Sequence, residues 1–499
     1  MPGDPVHVDE YLERHALRRP HDPAVACAEF TWTFEMLGRE VDRCAAALTA
    51  HGIGPGDVVG VLGHSRPEWL VAFLACCRVG GLYLGLSPKY VARELEFILS
   101  DARPRIVLTL GDEMAGSRLA ALDEFLAAGA EAPSRRPSRV TPDAPCAIVY
   151  TSGSTGLPKG ALLSQRGIVQ SAELTWRHWY GAARDLRTVA QHPINHVAWL
   201  VCECVAVLLG GGTLFFRERF DGGATLRLIA GERLNLWFAF PSMVALAMRS
   251  EDFATADLSS LRRIAFGSLP PLDLLRRLRA RTAAVFAVSY GLTEASGGAL
   301  TATSDEDDLE TVSTSVGRVL PGLETRIVDA SGHSVPAGAP GELLIRDGTT
   351  FLGYLNRPGA TAETLDGDGW LHTGDAVAQD ADGNLRLVGR LKEMFKSGGY
   401  NVYPTEVEQV IAAHDAVSAV AVVASPDPVW GEVGTAFVVL AAGAAADAEQ
   451  VREHARSRLA NYKVPKHFVT IDRLPQLPNG KPDKMLLRER AQQLVPDRS

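Results

Sequence analysis

The 499-residue sequence has no excess of basic side chains, since 50 Lys and Arg stand against 59 Asp and Glu, a formal net charge of −9. Nucleic-acid-binding proteins are usually basic, so we expect no nucleic-acid partner, although a local basic patch for an anionic ligand is compatible with this charge. Long apolar runs are missing too, because a stretch such as residues 70–77 is too short to span a bilayer. The first residues, Met1-Pro2-Gly3-Asp4-Pro5, lack the basic and apolar segments of a signal peptide. We therefore expect a cytoplasmic protein without a membrane span.

Cysteine is scarce and scattered. The odd number of residues and their apolar surroundings predict buried free thiols in a reducing compartment rather than disulfides. The segment Cys202-Glu203-Cys204 has no second Cys/His cluster nearby, which argues against zinc. The seven cysteines are Cys27, Cys44, Cys76, Cys77, Cys146, Cys202 and Cys204.

The length predicts two or more domains. Strand-like and helix-like segments alternate up to about residue 300, which is typical of a parallel α/β layer. One predicted helix begins after Ser65, with Ser65 as N-cap and Glu68 at the third position, the spacing of a capping box. From Gly317 short strands with Gly and Pro turns predict a smaller β subdomain. We expect an α/β fold with a large N-terminal domain, residues 1–390, built of subdomains, and a small α+β C-terminal domain, residues 391–499.

One stretch carries the strongest chemical signal. An apolar run, residues 147–150, predicts a buried strand that leads into a segment rich in hydroxyl groups and glycine and ending in a lysine. Glycines let backbone N–H groups approach an anion, and hydroxyls and a lysine add donors, so we interpret the segment as a polyphosphate-binding loop. It differs from the P-loop because no Ser or Thr follows the lysine, and the alternative is a flexible linker. The loop residues are Thr151, Ser152, Gly153, Ser154, Thr155, Gly156 and Lys159.

Later motifs add groups that suit a nucleotide. In Tyr290-Gly291-Leu292-Thr293-Glu294 an aromatic ring can stack on a base and a carboxylate can hold magnesium beside phosphates. Asp375 follows a predicted tight turn and can accept ribose hydroxyls. Each of these motifs alone is also compatible with an ordinary turn.

Together these motifs resemble those of the adenylate-forming enzymes, the acyl-CoA synthetases, peptide-synthetase adenylation domains and luciferases. The resemblance extends from about Tyr11 to about Arg488, with the motifs in the family's order. It implies binding of ATP by the loop, adenine beside Tyr290 and Gly291, the α-phosphate near Thr293, Mg²⁺ on Glu294 and ribose on Asp375.

The resemblance also assigns roles to the C-terminal part. Arg390 corresponds to a residue that contacts ribose and phosphate, and Lys392 to the hinge of a mobile lid. Gly398 and Gly399 correspond to a segment that lines the path of the pantetheine group of coenzyme A. Lys481 corresponds to the lysine that acts in adenylation, although Pro482 stands where the family usually has an aliphatic residue.

The acid pocket is implied by another matching segment. His196 corresponds to a residue at the mouth of the pocket, and Val197, Ala198 and Gly267 are small or apolar residues that suggest room for an aryl or medium-length acyl group. Two departures from the family pattern bear on this wall: Asn195 replaces the usual aromatic residue, and Leu269 adds bulk. We expect an aromatic, arylacrylic or medium-chain acid rather than acetate.

The implied reaction has two steps: a carboxylic acid is activated by Mg-ATP as acyl-AMP, and the acyl group passes to coenzyme A. Alternatives within the same chemistry are a stand-alone carrier protein as acceptor, or nitrite activation for diazotisation of an aryl amine. A catalytically silent adenylate-binding scaffold is the alternative of another class, although Lys481, Glu294 and Asp375 are all present. A monomer and a homodimer both stay open.

Overall fold

The computed structural model describes residues 7–109, 119–121, 125, 140–151, 158–441, 447–476 and 482–494. The chain divides into two compact units. The first comprises residues 1–325, 345–372 and 383–385, and the second comprises residues 326–344, 373–382 and 386–499.

The first unit contains a seven-stranded sheet within the described ranges. Its strand order is Gly353–Tyr354, Lys159–Ser164, Pro145–Thr151, Leu82–Leu86, Val58–Leu62, Ile106–Thr109 and Leu119–Ala121. The three strands Pro145–Thr151, Lys159–Ser164 and Gly353–Tyr354 pair antiparallel, whereas the other pairs are parallel. Leu82–Leu86 is buried along its whole length, as expected for a central strand of a parallel layer covered on both faces.

Smaller sheets complete the first unit. One has the order Thr31–Thr33, Pro23–Ala26, Thr213–Phe216 and Arg187–Ala190; another, all parallel, has Leu236–Ala239, Arg263–Phe266 and Val285–Val288; Thr301–Ala302 pairs with Arg318–Val319. The α-helices are Val8–Arg18, Phe34–Ala50, Pro67–Val79, Ala92–Ala102, Gln165–Leu174, Ala206–Gly210, Gly222–Gly231, Pro241–Ala247, Asp252–Thr255, Leu272–Arg279, Leu309–Thr314 and Pro358–Thr364, and the π-helices are Thr175–Trp179 and Ala198–Val205.

The predicted cap at Ser65 is wrong. The helix begins at Pro67 with Arg66 as N-cap, and no side chain caps it. Ser65 is buried, where its hydroxyl accepts a hydrogen bond from Trp199 Nε1 at 2.9 Å. The Ser65 hydroxyl therefore bonds to the distant Trp199 instead of capping the helix, as the local spacing had predicted.

Two further sheets have most of their residues in the second unit. One has the order Glu324–Val328, Gly341–Arg346, Leu371–Gln379 and Leu385–Arg390; the other has Tyr400–Val402, Phe395–Ser397, Gly431–Leu440 and Val417–Asp427, with His467–Thr470 beside Gly431–Leu440. The α-helices are Pro404–Ala412, Ala448–Arg456 and Lys484–Leu494. Apolar side chains from these helices pack on the second sheet, so residues 395–494 have cores of their own. The division at residues 390/391 stays a prediction.

All seven cysteines are free, and all but the half-buried Cys27 are buried, as predicted. Burial raises the pKa of the Cys44 and Cys202 thiols to about 12. In the described ranges, no helix has both the length and the apolar character that crossing a membrane requires.

Arg78 supplies the cation for a buried carboxylate, since its Nε lies 3.1 Å from Oδ2 of the fully buried Asp9. We expect Arg78→Leu to lower the free energy of unfolding by about 3–5 kcal/mol, because a buried carboxylate loses its cation. Arg43→Leu is the control, since the Arg43–Glu40 pair is exposed and contributes about 0.3–0.5 kcal/mol. Urea titrations measure both values; similar losses for the two variants would contradict the assignment.

Candidate active site

The hairpin formed by Pro145–Thr151 and Lys159–Ser164 confirms the predicted strand before the loop. Thr151 faces Lys159 in the antiparallel register, so the two ends of the loop lie side by side. The loop residues Ser152, Gly153, Ser154, Thr155 and Gly156 lie outside the described residues.

Lys159 and Glu294 meet at a residue that the sequence did not indicate, Tyr354. Lys159 Nζ lies 5.0 Å from the centre of the Tyr354 ring, a cation–π contact. The Tyr354 hydroxyl donates a hydrogen bond to Glu294 Oε1 at 2.6 Å. The phosphate-loop lysine and the predicted magnesium carboxylate therefore belong to one cluster.

Backbone hydrogen bonds hold this cluster together. Leu355 N donates to Gly160 O at 2.8 Å, and Phe351 N donates to Glu294 O at 2.8 Å. The segment around Tyr354 is thus bonded both to the loop hairpin and to the turn that carries Glu294. Because Gly353–Tyr354 is only two residues long, it has no periodicity by which sequence reasoning could have found it.

The Tyr290-to-Glu294 motif follows the strand Val285–Val288 and ends in a 3₁₀ turn at Thr293–Ala295. The Tyr290 ring is buried. A side chain on Gly291 would place its Cβ 2.1 Å from Gly298 O, so only glycine permits this close approach of two backbone segments.

His196 lies just before the π-helix Ala198–Val205. Its Nδ1 accepts a hydrogen bond from Ala198 N at 3.1 Å, so the neutral ring carries its proton on Nε2. Val197 and Ala198 are buried. The neighbouring Asn195 donates from Nδ2 to Tyr90 Oη at 2.8 Å, and burial raises the pKa of Tyr90 to about 12. Asn195 thus makes a side-chain hydrogen bond at the position where the family usually has an aromatic residue.

Glu203 is a further residue at this segment that the sequence reasoning missed. It is fully buried, contacts His192 Nδ1, and accepts hydrogen bonds from the backbone N–H groups of Gln191 and His192. Glu203 therefore ties the π-helix to the strand end that precedes His196. The signal available in the sequence was a single carboxylate inside an otherwise apolar helix.

Gly267 follows the strand Arg263–Phe266 and is closely covered by aromatic rings. A Cβ at this position would lie 2.7 Å from Phe240 Cε1 and 3.2 Å from Phe238 Cε2. The glycine therefore lets Phe240 approach the backbone. Its assignment to the acid pocket stays a prediction.

The second unit holds the other predicted nucleotide residues. Asp375 is buried, and its Oδ1 lies 2.7 Å from Nε of the half-exposed Arg390. The turn predicted before Asp375 is wrong, because residues 371–379 form one strand, with Gly374 at a φ of 68°. Pairing with neighbouring strands outweighs the local turn signal of the glycine.

The Gly398-Gly399 pair forms the turn of a hairpin. Both residues have positive φ, 57° and 88°, a conformation that glycine adopts without steric cost. Lys392 lies in the 3₁₀ turn Leu391–Glu393. Lys481 lies outside the described residues.

Two family models cover most of the chain. The model described as AMP-binding enzyme matches residues 12–355, and the one described as AMP-binding enzyme C-terminal domain matches residues 406–481. The chain therefore belongs to the AMP-binding enzyme family.

Individual relatives match over nearly their whole length. Feruloyl-CoA synthase from Amycolatopsis sp is 38% identical, with 96% of this chain and 97% of that protein covered. Indoleacetate–CoA ligase from Aromatoleum aromaticum is 34% identical, with 97% and 98% covered. Among solved structures, ATP-bound MatB from Rhodopseudomonas palustris has a TM-score of 0.88 at 30% identity, with 98% of this chain and 99% of that chain covered. The predicted fold class, a large N-terminal and a small C-terminal domain with mixed α/β sheets, is confirmed.

We expect Gly267→Ala to lower the free energy of unfolding by about 1–3 kcal/mol, because the added methyl group would overlap the Phe240 ring. The control is Gly359→Ala, since nothing lies within 4 Å of a Cβ at this helical position. That change should stabilise the protein by up to about 1 kcal/mol. Thermal unfolding of both variants measures the difference; a Gly267→Ala protein as stable as Gly359→Ala would contradict the packing described here.

Proposed function

We propose that this protein is an ATP-dependent, AMP-forming acid–thiol ligase. A carboxylate oxygen of the acid attacks the α-phosphorus of ATP and pyrophosphate leaves; the thiolate of coenzyme A then attacks the acyl carbon and AMP leaves with the bonding electron pair. The observation that carries the proposal is the cluster in which Lys159 and Glu294 meet at Tyr354. It combines a cation beside the predicted polyphosphate loop with a carboxylate suited to the metal that accompanies ATP.

The loop from Thr151 to Lys159 would hold the triphosphate. Its hydroxyl and backbone N–H groups donate hydrogen bonds, and the Lys159 ammonium balances phosphate charge. The residues in this role are Thr151, Ser152, Gly153, Ser154, Thr155, Gly156 and Lys159.

Glu294 fits a magnesium ion that arrives with ATP. Mg²⁺ is commonly bound by one or two carboxylates together with substrate phosphates and water. When bound, the ion would neutralise phosphate charge. The Tyr354 hydroxyl fixes the direction of the Glu294 carboxylate.

Tyr290 and Gly291 would lie beside adenine, and Thr293 would lie near the α-phosphate. In the second unit, Asp375 would bind ribose. A carboxylate has about four lone-pair sites, so Asp375 can accept ribose hydroxyls while it keeps its bond to Arg390. The guanidinium of Arg390 is half-exposed and can also contact phosphate.

Residues 391–499 would act as a lid that turns at Lys392 between the two half-reactions. Lys481 would stabilise charge on the α-phosphate during adenylation. The Gly398-Gly399 hairpin would serve the thiol step, because a glycine backbone lets a slender pantetheine group pass closely.

The acid is proposed to be aromatic, arylacrylic or medium-chain. Val197, Ala198 and Gly267 present little side-chain bulk, and the feruloyl and indoleacetate ligases similar to this chain act on acids of this kind. His196 would lie at the mouth of this pocket.

A pyrophosphate-release screen tests the proposal. The panel contains acetate, octanoate, benzoate, cinnamate, ferulate and indoleacetate, each with ATP and Mg²⁺, with and without coenzyme A. We expect ATP-dependent pyrophosphate release with at least one larger acid and AMP and thioester formation when coenzyme A is added. Pyrophosphate release without thioester would point to another acceptor, such as a carrier protein; no release with any acid would overturn the proposal.

We expect Lys481→Ala to slow adenylation by about 100- to 1,000-fold, the usual effect of removing one transition-state donor. Thioester formation from chemically prepared acyl-AMP should be retained, because the lysine serves only the first step. Measuring the rates of the two half-reactions separately tests this. An equal loss of rate in both would refute the hypothesis that the lid places Lys481 at the site only during adenylation.

We expect Glu294→Gln to raise the Mg²⁺ concentration needed for half-maximal adenylation, because a neutral amide binds the ion more weakly. Tyr354→Phe should raise it less, since the carboxylate stays. Glu173→Gln is a matched control, because Glu173 also accepts a tyrosine hydroxyl, that of Tyr11, at 2.8 Å. A magnesium titration that does not distinguish Glu294→Gln from Glu173→Gln would remove Glu294 from the metal site.

We expect Ala198→Trp to lower kcat/KM for large acids more than for small ones, because the added ring fills the pocket. The ratio of cinnamate to acetate activity within the same protein preparation measures this and cancels any general loss of folded protein. An unchanged ratio would show that Ala198 does not line the acid pocket, and acetate as the best substrate of the unaltered protein would contradict the proposed acid class.

A further inference from the structure

His192 is a buried histidine of the first unit that has one ring nitrogen bonded and the other not. The side chain is 3% exposed, and its Nδ1 contacts the Glu203 carboxylate. Among the described residues, no hydrogen-bond partner reaches its Nε2. A buried polar atom without a partner destabilises the folded state, so this nitrogen is a candidate contact for a bound ligand.

The Glu203 carboxylate determines which nitrogen of His192 carries the proton. It also accepts hydrogen bonds from the backbone N–H groups of Gln191 and His192, at 3.3 and 3.2 Å, and an ionised carboxylate is an acceptor only. Nδ1 therefore carries the proton and donates a hydrogen bond to Glu203. A second proton on Nε2 would bury a charged N–H group without an acceptor, so the ring is neutral and Nε2 presents a lone pair.

Ring contacts place His192 against the aromatic pair that covers Gly267. The His192 ring stacks on Phe238, with the ring centroids 4.7 Å apart, and meets the Phe240 ring edge-on at 5.2 Å. These are the same two rings that a Cβ on Gly267 would touch, at 3.2 Å from Phe238 Cε2 and 2.7 Å from Phe240 Cε1. His192 and Gly267, a residue of the proposed acid pocket, therefore have the same two aromatic neighbours.

His192, Phe240 and Gly267 lie beyond the carboxyl ends of three strands. The last residues of these strands are Ala190, Ala239 and Phe266, respectively. The second and third strands pair in parallel, and the first starts beside the second, since Arg187 N donates to Asn235 Oδ1 at 2.9 Å. In α/β layers, small molecules bind beyond the carboxyl ends of the strands. The lone pair of His192 is therefore at the end of the layer where a bound acid is expected.

We propose that His192 is a specificity-determining residue for the acid, whose Nε2 accepts a hydrogen bond from a hydroxyl or N–H group on the aromatic ring of the acid. An acid with such a donor satisfies the buried nitrogen, whereas a plain hydrocarbon ring leaves it without a partner. A methoxy oxygen at the same position would oppose one lone pair to another. The role rests on the proposed function, because it assumes adenylation of an aromatic or arylacrylic acid.

The test compares acids that differ by a single group. Cinnamate, its ortho-, meta- and para-hydroxy derivatives and the matching methoxy derivatives are assayed by ATP-dependent pyrophosphate release with the full-length protein and Mg²⁺. We expect the kcat/KM of one hydroxy acid to exceed that of cinnamate by at least about 10-fold. It should exceed that of the methoxy acid with the same ring position by at least as much.

The variant His192→Leu removes the acceptor. We expect the ratio of kcat/KM for the preferred hydroxy acid to that for cinnamate to fall below about 3-fold. Because both rates come from one preparation, the ratio is insensitive to a general loss of folded protein. His15→Leu is the control and should keep the ratio of the unaltered protein. The His15 ring also contacts a phenylalanine, Phe34, at 5.0 Å, but its Nε2 is already paired with Leu209 O at 3.2 Å.

Glu203→Gln tests the direction of the hydrogen bond, and it decides the question if His192→Leu fails to fold. The glutamine oxygen can still accept the backbone N–H groups, and its amide N–H would then donate to His192 Nδ1, which moves the ring proton to Nε2. We expect the ratio of kcat/KM for the methoxy acid to that for the hydroxy acid to rise by about 10-fold, because Nε2 has become a donor. A loss of packing alone would not reverse this preference.

Equal kcat/KM for cinnamate and all three hydroxy acids in the unaltered protein would overturn the assignment. A hydroxy preference that persists in His192→Leu, an unchanged methoxy-to-hydroxy ratio in Glu203→Gln, or adenylation of aliphatic acids only would overturn it too. Absence of pyrophosphate release with every acid would refute the proposed function instead, which separates the two failures.

Discussion

The pairing of the strand Lys159–Ser164 with a neighbour on each side is the constraint on which the candidate active site depends. On one side it meets Pro145–Thr151, and on the other Gly353–Tyr354. Hydrogen-bonded strands lie about 4.8 Å apart, so this pairing brings Lys159 and Tyr354 within reach of each other. A register shift of one residue would turn each side chain to the opposite face of the sheet. The contact of Tyr354 with Glu294 then brings the carboxylate of a distant turn to the same place.

Each of the buried carboxylates Asp9, Glu203 and Asp375 contacts a basic or imidazole side chain. An unpaired buried carboxylate destabilises the folded state. The attraction within an ion pair often does not offset the free energy of desolvating the two charges, so additional hydrogen bonds are needed. Glu203 and Glu408 both accept backbone N–H groups in addition to their cationic or imidazole partners. Each of these acids joins two different elements of the fold, so the acid fixes their relative position. The partners of the buried acids are Arg78 for Asp9, His192 for Glu203 and Arg390 for Asp375.

Local patterns in the sequence predicted much of the fold and part of the site. The strand before the phosphate loop follows from a short apolar run, and the α/β layer of the N-terminal part follows from the alternation of strand-like and helix-like segments, which are local signals. Tyr354 could not be predicted because its position depends on pairing with a strand almost 200 residues away. The errors at Ser65 and before Asp375 have the same origin, since a tertiary hydrogen bond or strand pairing replaced the local preference.

The distribution of thiols has a practical consequence for optical and resonance methods. Six of the seven cysteines are buried, where a reagent in solution has little access to their thiols. Cys27 is half-buried and follows the strand Pro23–Ala26 of a small sheet of the first unit. A maleimide or a nitroxide reagent therefore finds one principal point of attachment in the folded chain without any cysteine being removed, and a second cysteine introduced in the second unit would complete a donor–acceptor pair.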